Sequence, residues 1–220
     1  MYFFTVFDVT GVLIIARLTG GGNFIDAAHA VGASETLYRI GLVCGLIGTL
    51  STILLAVALY AILKEIDANL AIMAVLFRLA ESTISGVVVA FGFVTLKIYL
   101  EAGNAGPRAG TQLSELAGLV SNSSLVGTNV SVVFFGVGST VFFYLLLRSG
   151  YVPRVLATWG LVGSIICFFA FLASLVFPGS TDALTGIGGI PVGLAEPVVG
   201  AWLLIHGIRA GRKLRGAPAT

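Results

Sequence analysis

Charge is what this sequence has least of. Asp, Glu, Lys and Arg make up only 10% of its 220 residues, against about 25% in a soluble domain, while 57% are hydrophobic. That balance excludes a water-soluble globular domain, and a mean hydropathy of +1.04 fits lipid as the surrounding solvent. Cysteine is equally scarce. Cys44 and Cys167 both fall inside apolar runs, so small apolar packing groups are expected there, not a disulfide or a thiolate metal site. Histidine is limited to His29 and His206, too far apart in sequence to set up metal-ligand spacing. No HExxH pair, GxSxG elbow or phosphate-cradling loop occurs, and the glycines of Gly186–Gly189 lack the preceding strand of a nucleotide site. No cofactor and no metal are therefore expected, enzymatic chemistry finds no motif, and no basic, aromatic-rich surface points to nucleic acid.

What is present is apolar length. Windows of about twenty apolar residues recur six times, which predicts an all-α polytopic membrane helix bundle with spans near 2–19, 41–63, 69–98, 125–147, 155–177 and 186–208. The whole chain reads as one integral membrane domain, with 209–220 as a basic tail. The first run starts without the basic leader of a secretory signal and reads as a spanning helix; Asp8 within it is expected near the hydrated interface.

The connections carry the polar residues. Gly20–Arg39 reads as a loop followed by a short interfacial helix, and Lys64–Asn69 as a tight polar turn. Glu101–Ser124, rich in glycine and containing Pro107, reads as a loop with one short helix around Gln112–Val120. Arg148–Arg154 is a compact turn with a basic residue at each end, and Pro178 closes the fifth span before a Gly- and Thr-rich loop running to Thr185. Gly41 and Gly45 form a small-xxx-small pair that lets another helix approach closely.

The third span is the most informative, because Arg78 and Glu81 lie deep inside it. Arg78, Glu81, Ser82 and Ser85 sit at helical offsets that place them on one face. A charge near the centre of a spanning helix costs about 2.5 to 3.5 kcal/mol on insertion scales, so such groups face a partner or a wet cavity. The sixth span supplies a second acid, Glu196, followed by Pro197, which removes a backbone donor and predicts a kink. Gly189, Gly193, Glu196 and Gly200 share a face, so that face is expected to press against another helix. Counted from the ends near Asn69 and Arg209, Glu81 and Glu196 reach similar depths. Arg78 is then placed to bridge two carboxylates, and span four, with Asn129, Ser131, Gly136, Gly138, Ser139 and Thr140, offers a small, polar inner face. Two acids and one base leave an odd negative charge that invites a proton or a bound cation.

Basic residues set the orientation. One end gathers Lys64, Arg148, Arg154, Arg209, Arg212, Lys213 and Arg215, the other Arg17, Arg39, Lys97 and Arg108, which predicts both termini in the cytoplasm. The tail is expected to meet anionic lipid.

Three segments, Ala58–Ser82, Phe134–Gly163 and Pro191–Ile208, together resemble the bacterial membrane family catalogued as domain of unknown function 4386. The likeness covers most of the chain from about Asp26 onward. It rests on Phe77-Arg78 with Glu81, on Arg148-Ser149-Gly150 with Pro153-Arg154, and on Glu196. Asn122, Ser123 and Ser124 stand where that family commonly carries a histidine or acid beside an aromatic residue. The resemblance implies a multi-pass protein of the bacterial cytoplasmic membrane and implies no activity. Two functions remain open on the residues. In one, this is a structural or accessory membrane protein whose buried Arg/Glu cluster fixes helix packing. In the other, it binds or passes a small molecule, ion or lipid through a polar cavity between the third and sixth spans. Membrane lipids are the expected partners in either case.

Overall fold

A computed structural model describes residues 2–20 and 22–206, with the side chains of residues 2–6, 8 and 107 outside the description. Asp8 and the basic tail from Arg209 onward therefore lie outside what the structure describes. Seven α-helices follow one another: α1 (Tyr2–Thr19), α2 (Phe24–Ala33), α3 (Glu35–Leu63), α4 (Ala68–Ala102), α5 (Pro107–Ser149), α6 (Arg154–Val176) and α7 (Thr181–His206). Among the described residues there is no strand. Five of these helices are long and apolar enough to cross a bilayer, and α1 adds a shorter apolar stretch, Val9–Thr19.

Local chemistry sets the helix ends. Asn23 opens α2 with a capping box: its side chain accepts from the amides of Ile25 and Asp26, and the Asp26 carboxylate accepts from the amide of Asn23. Asp67 caps α4 by accepting from the Leu70 amide at 3.1 Å. Gly150, at φ 66°, stops α5 in the left-handed conformation that glycine takes without steric cost. α7 runs as one helix through both Pro191 and Pro197.

The helices pack largely in chain order, α1 on α3, α3 on α4, α4 on α5, α5 on α6 and α6 on α7, and a smaller contact joins α7 to α1. Small residues bring the backbones close. A Cβ on Gly11 of α1 would come within 2.6 Å of the Gly41 carbonyl of α3, so the glycine pair noted in the sequence packs against a third glycine on the first helix. Gly136 is seated in the same way on the Phe168 backbone at 2.9 Å, tying α5 to α6, and Gly188 on Cys167 Cα at 3.2 Å, tying α6 to α7. Cys167, fully buried, is part of that packing surface.

Three expectations change. Residues 107–124 are not a loop: α5 begins at Pro107, and only Gly103–Gly106 separates it from α4. Proline at the first helical position suits a helix start, and tertiary contact then outweighs the weak helix propensity of the Gly- and Ser-rich turns. A Cβ added at Gly110 would lie 3.3 Å from the Ile25 side chain of α2, and Ala117 is buried. The residues before Gly186 are likewise a short 3₁₀ turn (Pro178–Ser180) and the first turn of α7, not an open loop. On α7, a Cβ at Gly189 or Gly193 would meet nothing within 4 Å, whereas Gly200 is buried and Glu196 reaches α5, so only part of the expected face presses inward, beside Gly188, Val192, Ala195 and Val199. The buried stripe is thus rotated about one residue from the glycine stripe, because apolar volume, not glycine alone, decides what faces the core.

At ~1.5 Å per residue, α6 with 23 residues is about 34 Å long and α5 with 43 about 64 Å. The first matches a bilayer core and the second overshoots it. The surplus of α5, with the end of α4, the start of α3 and all of α2, forms a lobe at one end of the bundle. Val31, Tyr38, Leu42 and Leu96 give that lobe a core of its own.

Candidate functional site: a buried ion cluster and its chamber

The cluster starts from Arg78, which is 5% exposed on α4. Its Nη1 lies 3.1 Å from Glu81 Oε2, one turn along the same helix, and 3.8 Å from Glu196 Oε1 of α7. Between α4 and α7 stands α5, whose Ser139 closes the circuit. Arg78 donates to the Ser139 hydroxyl at 3.4 Å, and Ser139 donates to Glu196 Oε1 at 3.0 Å. The guanidinium also lies over the Phe135 ring, 4.6 Å from its centroid. Phe135, Gly138 and Ser139 fall at offsets of 0, 3 and 4 along α5 and so share the face that receives Arg78. The two acids are unequally sheltered, Glu81 at 14% side-chain exposure and Glu196 at 26%.

The sequence-selected residues divide between two sides of α4. Arg78, Glu81 and Glu196 come together. Ser82 turns toward α3, where its hydroxyl donates to the Thr49 carbonyl at 2.8 Å. Ser85 turns toward α5 and hydrogen-bonds Ser131 at 2.7 Å, while Ser131 donates to the Glu81 carbonyl at 3.3 Å. These hydroxyls tie helices together, unlike those of Ser51, Ser164 and Ser174, which bond back into their own helices. Pro197 is half-buried directly after Glu196. Sequence reading placed Ser139 on a polar face of span four without giving it a role, and passed over Phe135. The recurrence of Ser131, Phe135 and Ser139 at every fourth residue is the signal that marks this face.

A chamber of about 410 Å³ reaches Glu81 from the side away from Glu196. Its polar lining comes from Thr49, Thr52, Glu81, Ser82, Ser85 and Thr128, and its apolar walls from α1, α3 and α4. Gly11, Val12 and Ile15 of α1 and Thr128 of α5 both border the chamber. Between the third and sixth spans, where a polar cavity was expected, the space is smaller: about 50 Å³, touching Arg78, Ser139 and Glu196 and otherwise walled by Leu, Phe and Val side chains. That is room for roughly one or two water molecules. The Ser139 hydroxyl of α5 takes up part of the space between Arg78 of α4 and Glu196 of α7.

Neither histidine approaches the cluster: His29 is exposed on α2, and His206 stacks on Trp202 at 3.8 Å near the end of α7. Among the described residues no group of three His, Cys, Asp or Glu side chains gathers as a metal site would require.

A bundle of long apolar helices with an ion-paired centre defines a multi-pass integral membrane protein. Over residues 4–207 the chain matches the model of the domain of unknown function DUF4386, and it belongs to that family. No curated protein and no solved structure matches it.

Proposed function

We propose that this protein binds a small molecule or ion carrying a positive charge or a hydrogen-bond donor, held at Glu81 in the chamber between α1 and α5. The observation that carries this is the chamber itself: a carboxylate deep in a spanning helix borders an open space of about 410 Å³ whose other polar groups are hydroxyls. Arg78 stands between two acids, so the cluster is one positive charge short, and a cation or proton at Glu81 restores the balance. The basic residues at the end carrying Lys64, Arg148 and Arg154 support a cytoplasmic orientation for that end, as expected in a bacterial inner membrane.

Octylammonium, with octanol as its uncharged counterpart, tests the reading. In detergent, octylammonium is expected to raise the thermal unfolding temperature of the full chain saturably, with octanol much weaker and the effect lost in Glu81→Gln. In a chain with Cys44 and Cys167 replaced by alanine, Ser85→Cys should react with a hydrophilic maleimide and be protected by octylammonium. An unreactive, unprotected Ser85→Cys would end the proposal.

The near-complete burial of Arg78 favours a second reading, in which the cluster only locks α4, α5 and α7 together. On that reading Glu81→Gln weakens folding, while octylammonium has no saturable effect on any variant.

A further inference from the structure

A second chamber, of about 460 Å³, lies in the lobe beyond the Glu81 chamber, and Ile15 of α1 borders both. Its aromatic wall is built from three rings. Phe24 of α2 stacks on Tyr99 of α4 with centroids 5.3 Å apart, and Tyr38 of α3 meets Tyr99 edge-on at 6.3 Å. The opposite wall is α5, with Ser114 and Ser121. Like its neighbour, the chamber is bordered by residues of both α1 and α5.

Tyr38 is the telling residue. It is only 3% exposed and borders this space, and among the described residues its hydroxyl makes no hydrogen bond. That oxygen is not sealed off from the chamber, so a molecule held there supplies the partner a tyrosine hydroxyl normally finds. Around it the chamber offers hydroxyl donors, from Tyr38, Tyr99, Ser114 and Ser121, beside ring faces and the apolar surface of Ile15. Among the described residues no acidic, basic or histidine side chain borders it. A charged head would therefore be desolvated without a counter-charge, whereas an uncharged molecule with acceptor oxygens would be satisfied. Tyr38 and Tyr99 also sit at the limits of the apolar spans, the depth at which tyrosine is enriched in membrane proteins.

From this we propose that the Tyr38–Tyr99 chamber binds the oxygen-bearing end of a neutral amphiphile, whose carbonyl or ester oxygens accept from the two tyrosines while its apolar body lies along Ile15 of α1. Two membrane-soluble sources carry that chemistry, an uncharged glycerol ester and a quinone. The site is independent of what occupies the space at Glu81.

The full chain, labelled with 3-fluorotyrosine and held in detergent, gives a direct test by fluorine NMR. The Tyr38 and Tyr99 signals are assigned by their disappearance in Tyr38→Phe and Tyr99→Phe. Monoolein and decylubiquinone serve as the neutral probes and oleate as the charged one. Both signals should shift saturably with at least one neutral probe. Tyr38→Phe, followed through Tyr99, should then weaken that probe about five- to tenfold, the loss of a single hydrogen bond. A response to monoolein alone assigns the ester, to decylubiquinone alone the quinone, and to both the shared acceptor chemistry. Unchanged signals for the other tyrosines in Tyr38→Phe show that the variant is folded. The proposal is overturned if neither neutral probe shifts the pair saturably, if Tyr38→Phe leaves affinity unchanged, or if oleate binds as tightly as monoolein.

Discussion

Gly138 makes the bed on which Arg78 lies: a Cβ at that position would come within 3.1 Å of both Cγ and Cδ of the arginine and 3.3 Å of the Ala74 carbonyl. The small residue on α5 admits the stem of the long one on α4, and Ser139 beside it then meets the charged end. Gly138→Val should therefore destabilise the bundle by about 1 to 3 kcal/mol, the usual cost of overpacking. If the crowding is against the arginine stem, the added cost should largely vanish in an Arg78→Ala background. Denaturant unfolding of the two single variants and the double decides this, and strictly additive losses would shift the blame to the Ala74 backbone.

Arg78 also faces two acids at unequal distance, which makes its charge testable. Arg78→Glu places three carboxylates together in a buried site, and a loss of about 3 to 5 kcal/mol is expected from breaking such a pair. Adding Glu196→Arg restores one attraction across α5, so the double variant should recover part of that loss. Recovery stays partial because Glu81, one turn away on α4, remains beside the new acid. Equal, independent losses in a double-mutant cycle would show that Arg78 and Glu196 are not coupled.

At the start of α4 one side chain has two duties that can be separated. Asp67 caps the helix and lies 3.7 Å from Arg148 beyond the end of the α5 span. The pair is substantially exposed, and exposed ion pairs contribute little. The cap is the larger contribution. Asp67→Asn, which keeps a capping oxygen, should leave stability nearly unchanged, while Asp67→Ala should lose about 1 kcal/mol. Equal losses in the two variants, measured by thermal unfolding, would assign the effect to the charge instead.

The α5 helix shows where sequence reading stops. Its second half, near Leu125 to Leu147, was legible because an unbroken apolar run has one stable form in lipid. Its first half was not: Gly110, Gly118, Ser121, Asn122 and Ser123 have turn-like propensities, and only the surface offered by α2 and the end of α4 makes them helical. The site divides in the same way. Arg78 and Glu81 could be paired on paper because helical periodicity stacks residues three apart. Ser139 could not be joined to them, since the helix between α4 and α7 is set by packing across the whole bundle.

Taken alone, then, the order of residues determined that this chain enters a membrane, roughly where its helices lie, and that Arg78, Glu81 and Glu196 are too polar to face lipid. Those are local matters of hydropathy and the 3.6-residue repeat. The tertiary structure decided that α5 stands between the two acids, that the open space at Glu81 lies toward α1, and that Tyr38 borders a second chamber. Each depends on how side-chain volumes on separate helices fit, and no stretch of sequence carries that information by itself.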